Sequence, residues 1–162
     1  MPVPEDWLVP DWPAPSNVHA LFTTRAGGVS LAPFDSLNLG DHVHDDPAAV
    51  ATNRARLGQC LGARPVFLQQ VHGVQVARID ADTPDGTVAD ACLVTAPGVA
   101  ATIMVADCLP LLFCNASGTA VAAAHAGWRG LAGGVIEATV QALHTASPEQ
   151  ALMAWLGPCI GP

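Results

Sequence analysis

The sequence predicts one α/β domain of the α+β or mixed kind. Three observations carry this reading. Short runs rich in Val, Ala, Leu and Ile recur between Gly, Pro and Asp turn signals, as strands require. Two stretches instead repeat their apolar residues at helical spacing. The chain has 162 residues, 51% of them hydrophobic, which suits a single domain (1–162) with a substantial core.

The elements follow in order. Residues 1–17 hold Trp7, Trp12 and five prolines and read as an extended lead-in packed on the body. Residues 18–24 read as a strand, and the Gly27-Gly28 pair turns the chain after Arg25. Residues 31–45 form an irregular loop with Asn38 and the acidic run Asp41-His42-Val43-His44-Asp45. Asp46 and Pro47 are a cap and first-turn pair, Val50, Leu57 and Leu61 recur on one face, and Gly62 stops the helix. Strands are expected over 65–71 and 74–79, flanking His72-Gly73, and a polar loop over 80–90 carries the turn Pro84-Asp85-Gly86. Further strands are expected over 91–95, 99–105, 111–114 and 119–124. A helix over 131–143 aligns Leu131, Val135, Ala138 and Ala142, and a last strand covers 151–156.

Composition excludes several classes of function. Six Lys and Arg stand against fourteen Asp and Glu, a formal charge of −8. A nucleic-acid backbone or an anionic membrane demands the opposite surface, so neither is expected as a partner. No apolar run reaches the roughly 18 residues of a membrane span. The acidic, proline-rich start is unlike a secretory signal, so a cytoplasmic location is expected. Five cysteines, an odd set without a C-x-x-C spacing, are no disulfide framework. Cys60, Cys92 and Cys114 read as small packing residues.

Chemistry concentrates in three short segments: Gln70-Val71-His72-Gly73, Ala106-Asp107-Cys108-Leu109-Pro110 and Ala124-His125-Ala126-Gly127-Trp128-Arg129-Gly130. Each sets a His or Cys at the end of a strand-like run beside Gly or Pro. Any one alone is more often a structural residue than a functional one. Together, two imidazoles and a thiolate can hold Zn²⁺ and leave a coordination position open for water or substrate. The same residues also fit a Cys108 nucleophile with His125 or His72 as its base. Arg25 and Arg129 lie in Gly-containing turns and suit phosphate or carboxylate; surface ion pairs are their ordinary alternative. Asp90 either orients a ligand or caps a turn. The His42-x-His44 pair reads as part of a solvated acidic loop.

These segments, with Thr23-Thr24-Arg25, Gly27-Gly28-Val29-Ser30, Ser36-Leu37-Asn38-Leu39-Gly40, Ala89-Asp90-Ala91 and Gly157-Pro158-Cys159-Ile160-Gly161-Pro162, resemble one family. It is the laccase-domain (YfiH-like) family, long labelled multicopper polyphenol oxidase and now described as purine nucleoside phosphorylases with adenosine deaminase activity. The resemblance implies a layered sandwich of mixed sheets flanked by helices, likened to bacterial toxin deamidases. It implies that His72, Cys108 and His125 bind zinc and act in catalysis. It also implies that Arg25 serves activity and that Arg25, Asn38, Asp90 and Arg129 contact substrate or phosphate. The implied reactions are phosphorolysis of adenosine, inosine, guanosine and S-methyl-5′-thioadenosine, with adenosine deamination. A monomer is implied, with a dimer as the alternative. Family members continue beyond the Gly-Pro-Cys-Ile-Gly-Pro segment, so a further C-terminal part is expected.

Two other enzyme readings stay open beside it. A copper-dependent polyphenol oxidase needs several Cu²⁺ ions, and hence more ligands than six histidines readily give. A Cys-His hydrolase editing peptidoglycan precursors needs only the thiol and an imidazole. Binding of metal or a partner without turnover is the non-enzymatic reading. Neither H-x-E nor P-C-x-x-C is present, so a deaminase of the cytidine class is not expected.

Overall fold

A computed structural model describes residues 3–148 and 150–161. Pro2 of the lead-in and Pro162 of the last motif lie outside the described residues. The architecture is mixed α/β, with a five-stranded and a two-stranded sheet and three helices among the described residues.

Helix α1 (Pro47–Leu61) starts where Asp46 accepts a hydrogen bond from Ala48 N at 2.9 Å, and ends at Gly62. It buries Val50, Asn53 and Leu57, one stripe of its surface. Strand β1 (Arg64–Val66) pairs in parallel with β4 (Val99–Ala101). The larger sheet runs β2–β3–β6–β5–β7, from β2 (Val76–Arg78), β3 (Ala91–Val94), β5 (Leu109–Asn115), β6 (Val121–Ala126) and β7 (Leu152–Leu156). Its β2–β3 pair is parallel and the other pairs are antiparallel.

Both faces of this sheet's central strands are covered, which explains why β3, β5 and β6 are largely apolar rather than alternating. On one face Ala91, Leu93, Leu111, Phe113, Ala122 and Ala124 pack with Val135 and Leu143 of α3 (Val135–Ala146). On the other, Cys92, Val94 and Ala123 join Val66, Leu68 and Ile79. The alternation of β6 puts His125 on this second face, at the strand's end. A third cluster of Trp7, Leu37, Leu57 and Phe67 ties the lead-in to α1.

The structure departs from the sequence reading in instructive places. Residues 18–24 form no strand; only Leu8 and Phe22 bridge, each accepting the other's N–H, because no longer neighbour runs beside them. The run 65–71 ends as strand at Val66, since Phe67 N–H bonds the Asp85 carboxylate at 3.0 Å instead of a neighbouring strand. The run 99–105 stops at Ala101. Beyond it the Gln70 amide takes both Met104 N–H and Met104 C=O, each at 2.7 Å, so a side chain replaces a strand partner. The helix expected over 131–143 is two helices, α2 (Trp128–Gly133) and α3. Gly134 separates them at φ +98°, a conformation that L side chains rarely adopt.

Candidate metal centre

Three elements deliver the three candidate ligands. His125 is the penultimate residue of β6, Cys108 immediately precedes β5, and His72 sits in the connection ahead of β2. Because β5 and β6 are paired with Pro110 opposite His125, the two strand ends arrive together. His72 is held at φ +60°, an unusual backbone state for a residue with a Cβ. The ligand atoms of His72, Cys108 and His125 all lie within 4.8 Å of one another. Cys108 Sγ stands 3.9 Å from His72 Nε2, and the two imidazole rings meet edge to face with centroids 4.7 Å apart. The set runs from exposed His72 through half-buried Cys108 to buried His125, so one side opens to solvent.

Asp90 organises the centre from beneath. It is fully buried, and both carboxylate oxygens are engaged. Oδ1 accepts from His72 N at 2.8 Å and lies 2.9 Å from His125 Nδ1. Oδ2 accepts from Gly73 N at 2.7 Å and Val71 N at 3.1 Å. Burial pushes the Asp90 carboxyl up, but the His125 bond and the N–H groups of Gly73, Val71 and His72 outweigh it and hold the group below 3.8. An ionised Asp90 makes His125 Nδ1 the protonated nitrogen and leaves Nε2 as the lone-pair donor. The sequence left Asp90 between ligand contact and turn cap; its geometry makes it the holder of the His72 turn and of the His125 ring.

Gly127 closes the other side. A Cβ there would stand 2.8 Å from His72 Cδ2 and 2.9 Å from Cys108 Sγ, so the centre occupies the space a side chain would need. Burial, a hydrogen bond with Asp107, and the charges of Asp107 and Asp90 all push the Cys108 thiol above 9.0. That negative field suits a bound cation better than a free thiolate. Two imidazoles, one thiolate, a fixed tautomer and an open side fit a three-ligand zinc site.

The remaining expected site residues have partners of their own. The Arg25 guanidinium bonds the backbone oxygens of Asp35 (2.7 Å) and Pro33 (3.5 Å) and stands 3.6 Å from the Asp35 carboxylate. Asn38 uses its side chain within its loop, donating to Gly40 O and Asp45 and accepting from Gly40 N. Arg129 lies over the Trp128 ring, 5.1 Å from its centre, with no carboxylate within 4.0 Å among the described residues. His42 and His44 belong to no group of metal-capable ligands among the described residues. Asn53 was not singled out by the sequence. It is buried in α1, donates to Ser30 Oγ, Ser36 O and Asn38 O, and accepts from Val29 N, fixing the loop that carries Arg25. A lone Asn among helical residues gave no signal of this.

Comparison with known proteins places the geometry in context. The family described as multi-copper polyphenol oxidoreductase laccase matches residues 19–162. The chain is 63% identical over 156 residues to purine nucleoside phosphorylase PA4543 of Pseudomonas aeruginosa, covering 96% of this chain and 63% of that protein. It is 52% identical to purine nucleoside phosphorylase YfiH of Escherichia coli, covering 96% of this chain and 64% of that one. Among solved structures, YlmD of Geobacillus stearothermophilus superposes with a TM-score of 0.88 at 33% identity, covering 99% of this chain and 65% of that one. Protein NMB0706 of Neisseria meningitidis gives 0.86 at 49% identity, over 96% of this chain and 64% of that one. The chain thus spans somewhat under two thirds of the length of these relatives.

Proposed function

This chain belongs to the multi-copper polyphenol oxidoreductase laccase family, and from that premise we propose that it serves purine nucleoside phosphorolysis at the His72–Cys108–His125 centre. The observation that carries the reading is the convergence of these three ligands over Asp90, in a chain 63% and 52% identical to proteins named purine nucleoside phosphorylase. The substrates are adenosine, inosine, guanosine and S-methyl-5′-thioadenosine, with adenosine deamination as a second activity.

In phosphorolysis a phosphate oxygen forms a bond to the ribose C1′ while the bond from C1′ to the base breaks. His72, Cys108 and His125 would hold a zinc ion, which when bound supplies a Lewis acid and an acidified water. Asp90 keeps the His125 ring oriented and its Nδ1 protonated. Arg129, with no carboxylate partner among the described residues, is the better placed of the two arginines to receive phosphate. Arg25 supports the same anion once released from Asp35. Asn38 shapes the Arg25 loop rather than touching substrate, since both ends of its amide are engaged. The family's copper label favours a second reading of the metal, because imidazole and thiolate also accept copper. The described residues assemble one such group, enough for one ion and not for a multicopper cluster.

The test incubates adenosine with the metal-loaded protein, with and without phosphate, and separates the products. Adenine and ribose 1-phosphate formed only with phosphate, and lost in His125→Ala, are expected. Inosine formed without phosphate reports the deaminase activity. Adenine release independent of phosphate, or no release from protein carrying one zinc, overturns the phosphorylase reading.

A further inference from the structure

Cys159 is the one cysteine of the chain that is exposed, and neither the fold nor the proposed chemistry uses it. Its position relative to Cys108 follows from the backbone bonds beyond the end of β7. Strand β7 pairs antiparallel with β5, with Leu111 opposite Leu156. Past the strand's end the two segments stay joined but leave the two-residue period of the ladder: Gly157 N donates to Pro110 O at 2.9 Å, and the next bond, three residues on in each segment, runs from Ile160 N to Asp107 O at 2.9 Å. Cys108 and Cys159 lie between these two bonds, each next to a partner of the Asp107–Ile160 bond. Antiparallel segments joined by such backbone bonds hold their facing Cα atoms about 4.5–5.5 Å apart. A disulfide spans Cα separations of about 4.4–6.8 Å.

We propose that Cys108 and Cys159 form a reversible disulfide, a modification site that removes the thiolate from the candidate metal centre. A hydroperoxide is the oxidant. The exposed Cys159 thiolate attacks a peroxide oxygen, the O–O bond breaks, and hydroxide leaves, giving a sulfenic acid. The Cys108 sulfur then attacks the Cys159 sulfur, and a second hydroxide leaves as the S–S bond closes. Two thiols lose two electrons and two protons, and one peroxide becomes two waters. A dithiol reverses the bond by exchange. Formation requires Cys108 to turn from His72 Nε2, now 3.9 Å away, toward the neighbouring strand. The other cysteines are poor competitors: Cys92 and Cys114 are buried, and Cys60 packs with Leu57 and Phe67.

The experiment treats the reduced protein with one equivalent of hydrogen peroxide and reads intact mass and peptide maps. The expected result is the loss of a pair of hydrogens and a peptide joining positions 108 and 159. Both are reversed by dithiothreitol, and both fall to background in Cys159→Ser. Protein loaded with zinc beforehand is expected to release it to a chromogenic chelator as the bond closes. Cys159 found as sulfinic acid, or in an intermolecular link, with Cys108 still a free thiol, overturns the proposal. Oxidised protein that keeps its zinc overturns the sharing of the sulfur. The inference rests on the ligand role of Cys108 but not on nucleoside turnover. A protein that takes up no zinc before oxidant is added marks failure of the metal reading, separately from the disulfide result.

Discussion

Asp90 Oδ1 lies 2.9 Å from His125 Nδ1 and 2.8 Å from the backbone nitrogen of His72, so one buried oxygen sets two of the three candidate ligands. A hydrogen bond of this kind fixes the tautomer of an imidazole that would bind metal through its other nitrogen. Replacing Asp90 by Asn keeps the size but turns an N–H₂ group toward N–H donors. Asp90→Asn is expected to weaken zinc binding about 10–100-fold. Titration against a competing chelator measures it, and wild-type affinity in the variant would remove Asp90 from its assigned role.

Gly127 tests the space rather than the charge. Its φ of −63° and ψ of 160° are open to any residue, so alanine brings no backbone strain. The added Cβ instead meets His72 and Cys108. Gly127→Ala should bind zinc much more weakly while its circular dichroism matches that of the wild type. Full zinc stoichiometry at unchanged affinity would show that the ligands yield freely.

Asn53 should matter to stability and not to metal. Its amide joins four partners from residues 29 to 38, three of them backbone groups. Asn53→Ala leaves buried groups unpaired, at a cost of about 2–3 kcal/mol. In a domain of this size that lowers the melting temperature by about 5–10 °C. Zinc affinity unchanged alongside that loss is the expected pairing.

Alkaline pH should destabilise the fold through its buried thiols. Burial pushes Cys92 up to about 12 from 9.0. Above pH 9 the unfolded thiol ionises while the folded one stays protonated, so the native state binds more protons and stability falls as pH rises toward 12. Denaturant unfolding at pH 8 and pH 10.5 should show a smaller loss in Cys92→Ala than in the wild type. Equal losses would mean that Cys92 titrates normally in the fold.

Alkylation should rank the cysteines by the same physics. Cys159 is exposed and reacts first with iodoacetamide; Cys92 and Cys114 stay silent until unfolding. Burial, Asp107 and Asp90 raise the Cys108 thiol above 9.0, so its alkylation rate should still climb past pH 9, and zinc should suppress it. Peptide mass spectrometry at several pH values checks the order. Cys108 labelled as fast as Cys159 at pH 7 would contradict it.

Much of this protein is legible in its sequence. The Asp46-Pro47 start and Gly62 end of α1 and the apolar runs of β3, β5 and β6 follow from local rules of capping and periodicity, and residue type marks His72, Cys108 and His125 as metal donors. Those rules depend on near neighbours in sequence. What the tertiary structure alone decided depends on distant ones. Residues 18–24 carry a strand-like pattern but have no long partner, and strands exist only in pairs. Gln70 ends the strand expected over 99–105 because its amide reaches Met104, thirty-four residues away. Asp90 became the anchor of His72 and His125, and Cys159 came near Cys108, only through bonds between distant segments. Residue types fixed which chemistry this chain can perform; long-range register fixed which of those residues meet, because hydrogen-bond pairing across a sheet is a property of two segments and never of one.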